Sequence, residues 1–90
     1  MAARLKGKKA LITGASSGIG AGVAVAFAKE GADVVINFPN KQQEAGAKKV
    51  ASAVRKAGRK AYLVQADVSK EGPVRRLVKE SLKRLGQIDI

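Results

Sequence analysis

The chain has no cysteine, no histidine and no tryptophan. The first absence removes disulfides, thiolate metal sites and cysteine nucleophiles together. The second removes Ser-His triads, histidine general bases and most zinc and iron sites, so no metal ligand set is expected. Aromatics amount to one Tyr and two Phe, which leaves Ala, Val, Leu and Ile to build the core. Proline occurs twice. No apolar run approaches the roughly 18 residues of a membrane span, and none is expected to cross a membrane. Met1 to Lys9 carries no apolar signal region, which points to a cytoplasmic protein. Acid is scarce: 7 Asp and Glu stand against 18 Lys and Arg, a net charge of +11. Such an excess attracts phosphate, as nucleotide, nucleic acid or lipid head group. What remains is 90 residues, 46% of them apolar, enough for one small packed domain.

Short apolar runs alternate with longer helical patterns. Lys9–Thr13, Asp33–Phe38 and Ala61–Gln65 read as strands, and their lack of clean alternation suits strands buried on both faces of a parallel sheet. Ile88-Asp89-Ile90 reads as a fourth strand cut short. The first helix is expected from about Ile19 to Glu30, with Ile19, Val23, Ala26 and Phe27 on its inner face and Gly31 as its stop. The second spans about Lys41 to Ala57 on a stripe of Ala47, Val50, Val54 and Ala57, with Gly58 following. The third is opened by Ser69 as N-cap, with Pro73 in the first turn, and carries Val74, Leu77, Val78, Leu82 and Leu85 to Gly86. The order is β-α-β-α-β-α plus a fourth-strand stub, an α/β parallel sheet with right-handed crossovers. Residues 1–8 are expected to be a basic lead-in with little structure.

Thr13-Gly14-Ala15-Ser16-Ser17-Gly18-Ile19-Gly20 joins the first strand to the first helix. Gly14 allows a tight turn out of the strand. Gly18 lacks a Cβ, so the backbone can approach a pyrophosphate, and Gly20 lets helix and strand pack closely. The helix N-terminus, starting near Ile19, offers free N–H groups and the positive end of its dipole, and Ser16 and Ser17 add hydroxyls. The spacing is G-x-x-x-G-x-G, neither the common G-x-G-x-x-G fingerprint nor a Walker loop. Three glycines also make a tight βα turn without any ligand.

The segment resembles the cofactor turn of the short-chain dehydrogenase/reductase family, Thr-Gly-x-x-x-Gly-x-Gly. Ala66-Asp67-Val68 after the third strand is similar to a second family motif. Arg4–Ile12 and Leu85–Ile90 resemble the family's entries to its first and fourth strands. The resemblance spans the whole chain and looks closest to 3-oxoacyl-carrier-protein reductases and glucose dehydrogenases. It implies a Rossmann-like, partly open three-layer αβα half-domain. It also implies that Asp67 contacts the adenine amino group while the Val68 backbone lines the adenine pocket. The family's Asn-Asn-Ala-Gly segment, catalytic Ser and Tyr-x-x-x-Lys pair are not matched in these 90 residues. Tyr62 has Ala66 four residues on and reads as a strand residue, so no catalytic residue is assigned.

NAD-preferring dinucleotide folds end the second strand with an acid that takes the ribose hydroxyls. Here that strand ends Asn37-Phe38-Pro39-Asn40-Lys41. No carboxylate opposes a 2′-phosphate and Lys41 can meet it, which favours NADP over NAD; otherwise Lys41 is a solvated first-turn lysine. The expected cofactor contacts are thus Gly14, Ser16, Ser17, Gly18, Ile19, Gly20, Asn37, Phe38, Lys41, Asp67 and Val68, with weak binding because half of the usual contacts are missing.

The basic residues Arg55, Lys56, Arg59 and Lys60, and Arg75, Arg76, Lys79, Lys83 and Arg84, read as solvated helix faces. No nucleic-acid motif accompanies them, and no specific nucleic-acid partner is expected. Three functions stay open: a nucleotide-binding half-domain without catalysis, one piece of an oxidoreductase completed by another polypeptide, and a polyanion-binding or structural module. If the stub fails to pair, the first strand is a bare edge, and a homodimer or larger species is expected through it.

Overall fold

The computed structural model describes residues 4–90. Three strands, β1 (Lys9–Ile12), β2 (Asp33–Phe38) and β3 (Ala61–Gln65), form one parallel sheet in the order β1-β2-β3. α1 (Gly18–Lys29) and α2 (Glu44–Lys56) connect them, and α3 (Glu71–Leu85) follows β3. A single 3-10 turn, Lys41–Gln43, precedes α2, so that helix begins three residues later than its periodicity suggests. The stops are as expected: Gly31, Gly58 and Gly86 all take positive φ, the left-handed geometry that glycine adopts without Cβ strain.

β2 is central and every one of its residues is buried. Its side chains alternate between two cores. Val34, Ile36 and Phe38 pack with Ala24, Ala28, Ala47, Val50, Ala51 and Val54 from α1 and α2. Val35 packs on the opposite face with Val64, Leu77 and Leu85, under α3. Fully burying each of the aliphatic side chains of β2 stabilises the fold by about 1.5–3 kcal/mol. The result is the expected Rossmann-like αβα arrangement, three layers around one sheet.

The inner face of α1 differs from the one its large residues suggest. Ile19 is 88% exposed and Ala26 is also exposed, while Ala24 and Ala28 are buried and Ala21 and Val25 pack beside them. Alanine on the inner side lets the helix axis come close to the sheet, and the bulkier Val23 and Phe27 turn outward to half-buried positions. α3 differs at its start. Lys70, not Ser69, occupies the N-cap, because the Ser69 hydroxyl is turned back onto Asp67.

Of the basic lead-in, residues 1–3 lie outside the described residues, and the rest is tied down. Leu5 N–H donates to Glu30 O at 2.7 Å, Lys8 N–H to Leu5 O, and Asp33 N–H to Lys8 O. The backbone of Lys6 crosses Gly31 so closely that a Cβ there would lie 2.9 Å from Lys6 Cα.

The 88–90 segment is not bare coil. Leu11 N–H donates to Ile90 O at 3.0 Å, Ile90 N–H to Lys9 O at 3.2 Å, and Lys9 N–H to the Asp89 carboxylate at 2.8 Å. Ile90 thus pairs opposite Ala10 in parallel fashion. The β1 edge through which a homodimer was expected is therefore not bare: the chain's own residues bond it at Lys9 and Leu11. Among the described residues no helix is long and apolar enough to cross a membrane.

One ion-pair cluster anchors the N-terminal end of the sheet. Asp33, 3% exposed, accepts from Lys9 Nζ at 2.5 Å, from Arg59 Nη2 at 2.8 Å and Nε at 3.0 Å, and from Lys60 N–H at 3.0 Å. Burial raises its pKa, but the bonds from Lys9, the Lys60 backbone and Arg59 outweigh it and lower the value from 3.8 to about 2. A depressed carboxylate contributes stability that is present above its ordinary pKa and is lost as pH falls through the folded value. The shift corresponds to about 2 kcal/mol, lost between about pH 4 and pH 2. Urea midpoints measured across that window should fall in the parent chain, and Asp33→Asn should flatten this part of the curve. An unchanged slope in the variant would assign the acid sensitivity to other carboxylates.

Candidate dinucleotide site

The C-terminal ends of β1, β2 and β3 all open at one end of the sheet, where ligands of open α/β sheets bind. β1 leads into the glycine turn, β2 into Pro39–Lys41, and β3 into Ala66–Val68. Asn37 fastens the three together. Its side-chain amide donates to Val64 O at 3.2 Å and Ala66 O at 3.1 Å, and its Oδ1 accepts from Gly14 N–H at 3.3 Å. Its own carbonyl accepts from Ala15 N–H at 2.9 Å. Asn37 is 1% exposed and Phe38 3% exposed in the α1/α2 core. Both were expected as cofactor contacts. The structure turns their side chains inward, Asn37 bonded between the glycine turn and β3 and Phe38 packed under α1 and α2.

Each glycine of the turn does something different. Gly14 and Gly18 adopt φ of 59° and 60°. A Cβ on Gly18 would point into open space, with nothing within 4 Å. A Cβ on Gly20 would strike the Gly14 carbonyl oxygen and crowd Ala15 Cα at 3.1 Å. So Gly20 closes the helix against the turn, while the space over Gly18 is left open toward solvent. Ser17 is the N-cap of α1 with an extended backbone and no side-chain cap bond. The first turn of α1 therefore keeps unsatisfied N–H groups and carries no acidic residue. Ile19, after Gly18, has its side chain exposed.

Ser16 departs from expectation. It is buried, and its hydroxyl donates to Gln43 Oε1 at 3.2 Å rather than facing an anion. The cause is the close approach of α2: a Cβ on Gly46 would lie 2.6 Å from Ser16 O. Gln43 and Gly46 thus support the turn from outside, and the sequence reading missed both. Gly46 does leave a signal, since a glycine within a helix costs about 1 kcal/mol against alanine and calls for a packing reason.

On the far side of the site, Asp67 Oδ1 accepts from Ser69 N–H at 3.0 Å and from Ser69 Oγ at 2.6 Å. These two bonds hold its carboxyl below the usual carboxylate range. Asp67 is therefore ionised and fixed in direction at neutral pH. Val68 is 44% exposed beside it, and Lys41 is exposed in the 3-10 turn. A shallow open recess of about 240 Å³ lies elsewhere, between β3 and α3, lined by Leu63, Val64, Gln65, Arg76, Glu80 and Arg84. None of the glycine-turn residues borders it.

The same elements recur in known proteins. The family model for short chain dehydrogenases matches residues 8–90. An uncharacterised oxidoreductase of Methylorubrum extorquens is 47% identical over 97% of this chain, and the oxidoreductase YghA of Escherichia coli is also 47% identical over 97%. The chain covers 34% and 29% of those proteins, about a third of their length. Among solved structures, a dehydrogenase of Burkholderia cenocepacia with bound NADP superposes with a TM-score of 0.92 at 33% identity, over 99% of this chain and 34% of its own. A second short chain dehydrogenase from Burkholderia cenocepacia J2315, in complex with NADP, gives 0.88 at 41% identity, over 96% and 34%. With the glycine turn set at the head of a three-layer parallel sheet, and residues 8–90 matched by the family model, the chain belongs to the short-chain dehydrogenase family.

Proposed function

We propose that this chain binds the adenosine side of a nicotinamide dinucleotide, NADP in preference to NAD, as the cofactor-holding part of an oxidoreductase and without turnover of its own. The observation that carries the reading is the open face of Gly18, at positive φ beside the unsatisfied N–H groups of α1. A pyrophosphate there meets backbone donors and the positive end of the helix dipole. Asp67, held by Ser69, is oriented to accept from an adenine amino group, and the Val68 backbone flanks it. At the end of β2 no carboxylate faces the ribose, and exposed Lys41 supplies a charge for a 2′-phosphate. When bound, the dinucleotide supplies hydride chemistry; the residues of this chain bind and orient its adenosine end. The Tyr-x-x-x-Lys pair of the family has no counterpart in the sequence, so a carbonyl substrate would find no positioned proton donor here.

Calorimetric titration with NADP, NAD, AMP and inorganic phosphate tests this. Binding is expected in that order of strength, and weaker than micromolar, roughly −8 kcal/mol, because only part of a dinucleotide is held. Gly18→Val should lower NADP affinity by at least about tenfold while the fold persists, since its Cβ fills the approach and the strained φ costs only about 1–2 kcal/mol. Equal affinity in the variant would place the site elsewhere. Equal affinity for phosphate and NADP would favour a general anion-binding surface.

A further inference from the structure

The sheet has a second edge, and two arginines sit on it. In a parallel ladder only alternate residues of a strand bond to a given neighbour. Lys60 O accepts from Val34 N–H and Ala66 N–H donates to Phe38 O, so the even-numbered residues of β3 face β2. Ala61, Leu63 and Gln65 therefore turn their N–H and C=O groups outward. Arg55, from the last turn of α2, donates through Nη2 to Ala61 O at 2.8 Å. Arg76, from α3 on the opposite face of the sheet, donates through Nη2 to Gln65 O, also at 2.8 Å. The two helices thus reach the same edge from its two sides.

We infer that Arg55 and Arg76 guard the outer edge of β3 against pairing with the β3 strand of a second copy of this chain. An unguarded strand edge is a template for another strand. Here the two outward carbonyls at the ends of β3 are already bonded, and only Leu63 between them is left with both groups free. One residue is too short a stretch to nucleate a ladder. Charge adds to the block. Closed pairing of two identical edges follows a two-fold axis, with the same patch on both copies. Antiparallel pairing centred on Leu63 sets Ala61 of one copy opposite Gln65 of the other, so the four guanidiniums bonded to these carbonyls are crowded into one seam. The occupant is argued from the strand itself. β3 is apolar along Ala61–Val64, half-buried at Tyr62 and Leu63, and a second β3 offers a self-complementary match. A shallow recess bordered by Arg76, Glu80 and Arg84 opens beside Leu63 and Gln65. The other edge of the sheet needs no such device, because residues 88–90 cover β1.

The test is sedimentation velocity of the 90-residue chain over a range of concentrations. R55A/R76A is compared with K48A/K49A, which removes the same charge from exposed positions of α2 away from the edge. R55A/R76A is expected to self-associate at least about tenfold more tightly than the parent, and K48A/K49A to match the parent. Slowed amide exchange at Leu63 in the associated form should place the contact on β3. R76A alone, whose guanidinium is exposed and adds little to packing, is expected to shift in the same direction and serves if the double variant does not fold. Association of both double variants alike would make the effect one of net charge and overturn the inference. So would an R76A chain indistinguishable from the parent, or protection that maps away from β3.

Discussion

Gly20→Ala is expected to lower the stability of the chain by more than about 3 kcal/mol. Helix propensity alone gives the opposite sign, because alanine in a helix is favoured over glycine by about 1 kcal/mol. The steric term decides. The added methyl has no flexible side chain to push aside: it meets the Gly14 carbonyl oxygen and the Ala15 backbone, both part of the turn that holds β1 to α1. Relief requires either α1 to lift off the sheet or the turn to open, and each disrupts the core under Ala24 and Ala28. Gly22, in the same helix, has nothing within 4 Å of its Cβ position. Gly22→Ala should therefore stabilise by up to about 1 kcal/mol. Denaturant titrations of the two variants side by side give opposite signs if the close approach is real. A loss under about 1 kcal/mol at Gly20 would mean that the turn yields easily.

Asn37→Ala is expected to cost about 3 kcal/mol or more. The substitution removes the acceptor of Gly14 N–H, the side-chain donor to Ala66 O and a second donor to Val64 O, at a position only 1% exposed. A buried group left unsatisfied costs about 1–3 kcal/mol. Asn37→Asp is a sharper probe, since it keeps the acceptor for Gly14 but turns the donor that faces two carbonyls into a second acceptor. Its deficit should be larger at neutral pH than in acid, where the carboxyl is protonated and can donate again. Urea midpoints at two pH values measure both effects. If Asn37→Ala proves nearly neutral, then water must enter and replace the amide.

The same residue shows where reading the sequence stops. Short apolar runs and stop glycines mark all three strands and all three helix ends, because those signals are local. Gly14, Gly18 and Gly20 are likewise legible, since their spacing carries its own physical reason. Asn37 looks like a strand-end residue facing a ligand, and only the parallel register brings Val64, Ala66 and Gly14 around it. Ser69 looks like a helix cap because nothing local announces that Asp67 competes for its hydroxyl. α1 misleads for another reason: it is apolar all round, so size suggests a face of Ile19 and Phe27 while closeness to the sheet selects Ala24 and Ala28. Arg55 and Arg76 are indistinguishable in sequence from the solvated lysines beside them, and only their bonds to Ala61 and Gln65 set them apart.

The bond between Lys9 and Asp89 joins residues 80 apart in sequence, whereas β1 and β2 meet across 24. Chain closure grows dearer with the logarithm of the loop, so holding the last residues to β1 costs about 1 kcal/mol more in lost freedom than pairing β1 with β2. A few hydrogen bonds and the packing of Ile88 against the core of Val35, Leu77 and Leu85 offset it. The edge of β1 is thus closed across the longer of these two loops, by the residues that follow α3.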